Sequence, residues 1–416
     1  MESLTVLPIQ HDDILSPDIY ADETTLHKMF ARLRADEPVR WTTPSHYRPF
    51  WAISKYADIQ SIEREPARFI ASKRNRVMTI QEEARVAAQT GGKPLMHTLP
   101  TMDDPDHRKY RGITRAWFLP NNLKRLEPQI KLLVSEYLDQ LEAGKDGIEF
   151  VNQIGLRIPL RVIMLILGIP KEDGERMHRL TGQLFSPLDP DTARESDGHA
   201  IAEAGQELFD YFKVLLRKRR EAPQEDLAST IANAEIDGQP INEHEALSYC
   251  VTITAAGHET TASSISGGLH CFIEHPDQYT LLREQPMLLN SAVDEIFRYV
   301  SPVRNFIRTA VADQELRVQT IRAGDSVLML YPSANRDEEV FDVPQSFRIT
   351  RTKNPHIAFG FGPHMCLGHL LARMELKEFF SQFVQRVKHA ELLGKPAWFR
   401  ANFLGGLKDM RVRCAF

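Results

Sequence analysis

The chain has 416 residues, of which 42% are hydrophobic and 26% are charged, an ordinary composition for a globular protein. Its 51 basic and 56 acidic residues give a net charge of −5, which argues against a nucleic-acid-binding protein. We find no run of about 18 apolar residues and no basic segment leading into an apolar core at the N-terminus, so we predict neither a membrane span nor a signal peptide. Four cysteines do not make a disulfide framework, which favours a reducing cytoplasm.

The N-terminal half of the chain predicts a short β region followed by many helices. Residues 48–60, RPFWAISKYADIQ, predict a strand and then the start of a helix. Residues 73–100 mix charged residues with glycine and proline, which predicts a long loop of the kind that is often functional. Helix-forming sequence dominates from about 105 to 290, with apolar residues three and four positions apart. Pro187 and Pro190 interrupt this pattern, which predicts a helix–loop–helix connection.

One predicted helix is longer than the others and apolar around most of its circumference. Residues 243–274 run without proline up to Pro276, so we expect a helix buried through its middle. Further helices are predicted for 287–300 and 367–387, with strands on either side of a Gly324–Asp325 turn between them. The whole pattern predicts a mainly α protein with a small β region.

The segment FGFGPHMCLG surrounds Cys366 with three glycines and a proline. A lone cysteine is most often an inert buried side chain, but glycines permit tight turns, and amides at a helix start stabilise a thiolate. A thiolate in an apolar site needs a cationic partner, for which a metal ion is best. Zinc would need more ligands than His364 and Cys366, and a nucleophile would need a base that nothing marks. A single axial thiolate suits haem iron.

The segment AAGHETTASS at 255–264 places a glutamate and two threonines within the long apolar helix. It is not a zinc-protease motif, because Ala262 occupies the position of the second histidine. Thr260 can donate a hydrogen bond to the carbonyl of Ala256, four residues back, and bend the helix locally. A buried helix with a satisfied threonine is the alternative to a functional role.

Two pairs of charged residues have spacings that place them on shared helix faces. Glu295 and Arg298 in EIFR lie three apart and can pair, although a solvated surface pair is the usual arrangement. His107 and Arg111 in DPDHRKYR lie four apart. Two cationic groups on one face suit a pair of carboxylates, and a solvated basic face is the alternative.

Taken together, these segments resemble the cytochrome P450 family. From the N-terminus to the C-terminus they match the family patterns D-P-x-H-x-x-x-R, (A/G)-G-x-(D/E)-T, E-x-x-R and F-G-x-G-x-H-x-C-x-G. This is the order in which the family carries them. DPDHRKYRGITRAWFLP, FIRTA, YPSANRDEEVF and NFLGG are similar to the bacterial terpineol-hydroxylating branch. The resemblance implies the triangular cytochrome P450 fold, with haem between the long central helix and the cysteine-loop helix. We expect one domain over residues 1–416, with β structure at about 40–75 and 300–350 and helices at about 105–300 and 366–390.

The resemblance also implies how the chain holds haem b. Cys366 is expected to be the axial ligand of the iron. Thr260 is expected to hydrogen-bond the bound dioxygen, and Glu259 is expected to feed the proton relay. The other expected haem contacts are His107, Arg111, Arg308 and His364 at the propionates, with Phe359, Gly360, Gly368 and Ala256 elsewhere around the cofactor.

Glu295 and Arg298 are expected to be a buried structural pair behind the haem. Many relatives add a third charged partner, an arginine, from a P-x-R-F segment. Here the segment is PQSF, with Ser346 in that position. Either Arg336 or Arg348 is a possible replacement.

The implied activity is that of a haem-thiolate monooxygenase working as a monomer. No flavin or nicotinamide domain fits in this length, so we expect electrons from a 2Fe–2S ferredoxin and its reductase, docked at Arg108, Lys109 and Arg115. The walls of the substrate pocket are expected in the 73–100 loop, in the 181–195 connection and at Ile253, Val303, Asn305, Phe306, Phe403 and Leu404. Most of these residues are apolar, which indicates an apolar substrate.

Several substrate classes and reactions stay open. The terpineol-like branch suggests a monoterpenoid, an alkylbenzene or a polycyclic aromatic, while steroids and fatty acids are alternatives. A peroxide-driven or nitric-oxide-reducing relative would use the same cysteine loop, although the Glu259–Thr260 pair argues against it. A haem-binding sensor or carrier without enzymatic activity is the remaining alternative.

Overall fold

The computed structural model describes residues 8–91, 96–144, 146–185 and 198–416, and helices dominate it. In chain order the helices are α1 (Pro17–Tyr20), α2 (Glu23–Asp36), α3 (Tyr56–Arg64), α4 (Ile80–Thr90), α5 (Asp106–Arg115), α6 (Pro120–Leu123), α7 (Glu127–Ala143), α8 (Arg157–Leu167), α9 (Gly174–Phe185), α10 (Gly198–Glu221), α11 (Leu227–Ala232), α12 (Glu243–Glu274), α13 (Pro276–Glu284), α14 (Leu289–Val300), α15 (Tyr331–Ala334) and α16 (His369–Arg386).

The strands are short. They are β1 (Val39–Thr42), β2 (Phe50–Ile53), β3 (Phe69–Ile70), β4 (Ile148–Glu149), β5 (Glu235–Ile236), β6 (Gln239–Pro240), β7 (Asn305–Ala310), β8 (Gln314–Leu316), β9 (Gln319–Ile321), β10 (Ser326–Leu330), β11 (His389–Leu392), β12 (Ala397–Trp398), β13 (Leu407–Asp409) and β14 (Arg411–Ala415).

The largest sheet has the strand order β1–β2–β10–β7–β3. β10 runs parallel to β2 and antiparallel to β7, so that Met329 pairs with Ile53 on one side and Phe306 on the other. All five residues of β10 are buried, as expected for an apolar strand at the centre of a sheet that is covered on both faces. The strands predicted on either side of Gly324–Asp325 are β9 and β10, but they do not pair with each other: β9 forms a hairpin with β8, and β10 belongs to the large sheet.

α12 runs through the interior for 32 residues and confirms the helix predicted over 243–274. Asn242 caps it by accepting a hydrogen bond from the amide two residues on. Glycines bring neighbouring helices close: a Cβ on Gly257 would lie 2.4 Å from Ile163 of α8, and one on Gly268 would lie 2.7 Å from Phe380 of α16. α12 therefore packs directly on α8 and α16.

The segment 73–100 is not a single loop, and that prediction is wrong. α4 occupies its middle and begins with a capping box. The Thr79 hydroxyl accepts from the amide of Glu82 at 3.1 Å, and the Glu82 carboxylate accepts from the amide of Thr79 at 2.8 Å. This Thr-x-x-Glu start signal outweighs the glycines and prolines that follow it. Helix α4 ends at Gly91, whose φ of +62° is left-handed.

The other predicted elements are found close to their expected bounds. The strand and helix expected in 48–60 are β2 and α3, the helix expected over 287–300 is α14, and the helix expected over 367–387 is α16. Pro187 and Pro190 lie outside the described residues, with α9 ending before them and α10 beginning after them. Among the helices that the structure describes, none is long and apolar enough to cross a bilayer.

Candidate functional site

Cys366 lies in the turn just before α16. Its amide donates a hydrogen bond to the carbonyl of Phe359 at 2.8 Å. The side chain is exposed, yet burial raises the pKa of its thiol, while the Gly368 amide and the guanidiniums of Arg111 and Arg373 lower it. Because the thiol is both accessible and desolvated, we infer that it borders a space within the protein rather than the outer surface. The Gly368 amide supplies the helix-start hydrogen bond expected from the sequence.

Two glycines shape the cysteine loop through contacts with α3. Gly360 and Gly362 have φ of +70° and +68°, a left-handed conformation that other residues seldom adopt. A Cβ on Gly362 would lie 2.3 Å from the carbonyl oxygen of Glu63, and the carboxyl of Glu63 accepts a hydrogen bond from the Tyr331 hydroxyl at 2.8 Å. Close packing on α3 therefore requires these glycines, while contact between Gly360 and the haem stays a prediction.

Replacing Gly362 by alanine is expected to lower the free energy of unfolding by more than the about 1–3 kcal/mol of backbone strain alone, because its Cβ also meets a backbone atom. Gly238→Ala is the matched control: its φ is +74°, but a Cβ there would meet nothing within 4 Å. Denaturant titrations of both variants would measure the difference. Equal losses would show that the contact with Glu63 does not constrain the loop.

The residues predicted to bind propionates come together beside the cysteine loop. The rings of His107 and His364 lie 4.0 Å apart, and Arg111 donates a hydrogen bond to the Met365 carbonyl at 2.6 Å. The pKa of His364 is lowered to about 3, chiefly by burial and also by the charges of Arg308, His107 and Arg111. The Nε2 atom of His107 is buried without a hydrogen-bond partner among the described residues. Such a concentration of donors suits an anionic ligand.

The middle of α12 presents an accessible patch in an otherwise buried helix. Ala256 is exposed although the residues around it are buried or partly buried, which indicates an open space against this face. The Thr260 hydroxyl donates to the Ala256 carbonyl at 2.9 Å, as predicted. Glu259 is 9% exposed, and burial raises the pKa of its carboxyl to about 7. Two consecutive residues at this position are therefore an acid with a pKa near neutrality and an alcohol.

The predicted pair of Glu295 and Arg298 is completely buried, with two hydrogen bonds of 2.8 Å between the side chains. The third charged partner is Arg351, whose Nε donates to Glu295 at 3.0 Å. Ser346 contributes its carbonyl, which accepts from Arg298 at 3.0 Å.

Neither candidate named for the third position fills it. Arg348 donates only its backbone amide to Glu295, and its side chain pairs with Asp342. The guanidinium of Arg336 lies over the ring of Tyr299 at 4.4 Å. The expectation of Arg336 or Arg348 is therefore wrong, and a local sequence pattern could not identify Arg351, because the chain brings it in from beyond the PQSF segment.

Most of the predicted substrate-wall residues form one cluster. Val303 and Leu404 form an isolated β-bridge, and the rings of Phe306 and Phe403 lie 5.5 Å apart. The side-chain amide of Asn305 donates to the Asn402 carbonyl at 2.6 Å, which ties this strand to the C-terminal loop. Ile253 lies on α12, three residues before the exposed Ala256, and is itself partly buried. Their role as substrate walls stays a prediction.

A groove with a volume of about 500 Å³ opens between α5 and the cysteine loop. Arg108 and Arg115, two of the three residues predicted to dock a redox partner, line it together with Arg111. Arg108 pairs with Asp104 at 3.0 Å, and Lys109 pairs with Asp237. Arg115 is exposed. The predicted docking residues therefore lie near the loop of Cys366, on a partly neutralised basic surface.

Comparison with known proteins shows the family. A family model described as Cytochrome P450 matches residues 177–397, just over half of the chain. Cytochrome P450-terp from a Pseudomonas species is 36% identical over 410 residues, with 96% of each chain covered. Linalool 8-monooxygenase from Pseudomonas putida is 33% identical, covering 97% of this chain and 99% of that protein. The crystal structure of CYP108D1 from Novosphingobium aromaticivorans matches with a TM-score of 0.90 at 34% identity, over 97% of this chain and 98% of that one. The chain belongs to the cytochrome P450 family.

These matches confirm the predicted fold class and the likeness to the bacterial branch that includes cytochrome P450-terp. Proteins of this family bind haem b through a cysteine thiolate. The residues described here fit that cofactor: Cys366 is accessible within a desolvated loop, and the donors around His107 and His364 lie beside it. The exposed Ala256 at the centre of a buried helix is a further place where a flat group can lie against the protein.

Proposed function

We propose that this member of the cytochrome P450 monooxygenase family hydroxylates a small-to-medium apolar substrate with electrons from a 2Fe–2S ferredoxin and its reductase. The observation that carries the proposal is the pairing of Glu259 and Thr260 beside an accessible stretch of α12. The apolar cluster of Val303, Phe306, Phe403 and Leu404 supports an apolar substrate. The names of the two bacterial relatives, P450-terp and linalool 8-monooxygenase, favour a terpenoid.

The proposed mechanism assigns distinct tasks to the side chains. When bound, the haem supplies the reductive activation of dioxygen and the oxidation of the substrate. Cys366 would hold the iron, while His107, Arg111, Arg308 and His364 would bind the two propionates. The apolar cluster would hold the substrate and keep bulk water away from the reacting carbon.

Proton delivery would fall to the pair on α12. The carboxyl of Glu259 has a pKa of about 7 because it is buried, so near neutral pH it can carry and release a proton. The hydroxyl of Thr260 donates to the Ala256 carbonyl, which leaves its oxygen lone pairs free to accept a hydrogen bond. To relay a proton, the hydroxyl would turn away from that carbonyl and give up its own proton to the accessible space as it takes the proton of Glu259, so that Thr260 stays a neutral alcohol.

Electron transfer from ferredoxin would use the basic surface beside the cysteine loop. Arg115→Glu is expected to weaken ferredoxin binding about 10-fold at low salt, because it replaces an exposed positive charge in the groove with a negative one. The effect should shrink as salt is added. Stopped-flow reduction by an acidic bacterial ferredoxin measures it. Arg217→Glu, at an exposed position of α10 outside the lining of the groove, is the control, and equal effects of the two variants would exclude docking at Arg115.

The substrate class is tested by titrating the ferric protein with a panel of terpenoids, alkylbenzenes, polycyclic aromatics, steroids and fatty acids. Binding that displaces water from the iron changes the spin state, and product analysis with a surrogate ferredoxin then gives the position of attack. A terpenoid or aromatic product supports the proposal. If only steroids or fatty acids are turned over, the proposed substrate class is wrong and the protein acts on one of those classes instead. If no tight-binding compound is turned over, a carrier or sensor is favoured.

A further inference from the structure

The residue before the catalytic acid occupies an unusual position. His258 is 1% exposed, and its Nε2 lies 3.0 Å from the carbonyl oxygen of Leu156. A carbonyl can only accept a hydrogen bond, so Nε2 carries the proton and Nδ1 carries a lone pair. Nδ1 is buried and has no hydrogen-bond partner among the described residues. An oxygen of the Glu259 carboxyl lies 3.8 Å from this Nδ1.

A hydrogen-bond acceptor beside a carboxyl group favours the protonated carboxyl over the carboxylate. The protonated carboxyl of Glu259 has an O–H that can donate to Nδ1 after a small side-chain rotation, whereas the carboxylate would place two lone pairs against each other. We propose that His258 is a positioning residue whose Nδ1 accepts a hydrogen bond from the protonated carboxyl of Glu259 and thereby holds the proton-loaded acid beside Thr260. This inference rests on the role proposed above for Glu259 and Thr260.

The surroundings keep His258 neutral, as this role requires. The pKa of His258 is lowered to about 3, chiefly by burial and also by the nearby His178 and Arg157, against a smaller raising effect of the hydrogen bond to Leu156. The ring of His178 on α9 lies 6.4 Å from that of His258, and burial lowers its pKa as well. Arg157 on α8 pairs with Glu175 on α9. His258 therefore acts as an acceptor rather than as a proton carrier.

The contact with His258 sets the pH range in which the carboxyl of Glu259 is protonated. Since Nδ1 stabilises the neutral form of Glu259, it adds to the effect of burial and raises the pKa of the carboxyl. The carboxyl of Glu259 is fully protonated well below pH 7, and its protonated fraction falls as the pH rises through about 7. Without the acceptor this fall should occur at a lower pH.

Two substitutions separate this role from the contact with Leu156. The amide of glutamine in His258→Gln can take the place of Nε2 and keep the bond to Leu156 but offers no acceptor at the Nδ1 position. Asparagine in His258→Asn reaches only the Nδ1 position, so it keeps an acceptor near Glu259 and loses the bond to Leu156. If His258 only holds the structure through Leu156, the glutamine variant should behave more like the wild type. If His258 positions Glu259 as proposed, the asparagine variant should.

The measurement is a pH titration of the infrared carboxylic-acid band of Glu259 in the ferric holoprotein, assigned by its loss in Glu259→Gln. Glu375 is an internal reference, because burial raises its pKa well above the ordinary value. We expect His258→Gln to lower the midpoint by about one pH unit, the worth of one hydrogen bond, and His258→Asn to stay near the wild-type midpoint. Any other pattern, including equal shifts or none, would overturn the proposal.

The same variants distinguish a failure of this inference from a failure of the proposed function. The infrared midpoints do not depend on turnover. If they follow the expected pattern but product per electron pair is unchanged at every pH, the positioning of Glu259 stands and its role in proton delivery is wrong. If the midpoints do not follow the pattern, the inference fails whether or not the protein is a hydroxylase.

Discussion

Glu295→Ala is expected to lower the free energy of unfolding by about 3–5 kcal/mol, because it leaves buried charges without their counter-ion. The carboxylate of Glu295 accepts hydrogen bonds from the guanidiniums of Arg298 and Arg351, and these side chains are at most 4% exposed. It also accepts from Asn354 and from the amide of Arg348. Removing the carboxylate leaves two positive charges side by side in a region from which water is largely excluded.

The comparison that isolates this effect is Glu391→Ala, which breaks the surface pair of Glu391 and Arg413. That pair is 44–53% exposed and should be worth no more than about 1 kcal/mol. Glu295→Gln keeps one acceptor and is a milder variant if the alanine variant does not accumulate. Denaturant unfolding followed by circular dichroism measures all three. A loss for Glu295→Ala no larger than that of the surface control would show that the buried network does not hold this region together.

Thr260→Ala is expected to reduce the product formed per NAD(P)H by about 100-fold while electron consumption continues, which is the lower end of the roughly 10²–10⁴-fold contribution of one proton-transfer group. Thr260 follows the buried acid Glu259 in the chain, and its hydroxyl donates to the carbonyl of the exposed Ala256. In the proposed mechanism its loss interrupts proton delivery from the acid, so that the electrons leave as reduced oxygen species. Measuring product and peroxide against NAD(P)H gives the ratio directly.

Thr254→Ala is the matched control on the same helix. Its hydroxyl donates to the carbonyl four residues back at 2.9 Å, as that of Thr260 does, but the side chain is only 1% exposed. Both variants therefore lose the same kind of helix hydrogen bond. Normal coupling in Thr260→Ala, or the same loss in Thr254→Ala, would show that the hydroxyl of Thr260 does not deliver protons.

The parts of this protein that were predictable from its sequence are those in which neighbours along the chain determine the structure. The long helix over 243–274 follows from uninterrupted apolar sequence with proline beyond its end. The hydrogen bond from Thr260 to Ala256 follows from helix geometry. The grouping of His107 with His364 came instead from the family resemblance, because nothing local relates residues so far apart.

The predictions that failed depend on contacts between distant segments or, for α4, on a helix-start signal that competes with nearby glycines and prolines. Arg351 reaches Glu295 because the segment after Phe347 folds back towards α14, and spacing alone does not encode that path. α4 begins with a Thr-x-x-Glu capping box, which can be recognised in sequence. The packing of Gly362 against Glu63 joins residues about 300 positions apart, so its physical reason is visible only in the folded chain.

The central claim, that Cys366 binds haem iron as a thiolate, is tested most directly by the absorption spectrum of the reduced, carbon-monoxide-bound protein. We predict the strongly red-shifted Soret band of thiolate-ligated haem in freshly prepared protein, its loss in Cys366→His, and its retention in Cys414→Ala, which changes a free cysteine on β14. A wild-type spectrum like that of a histidine-ligated globin, or a red-shifted band that persists in Cys366→His, would contradict the account.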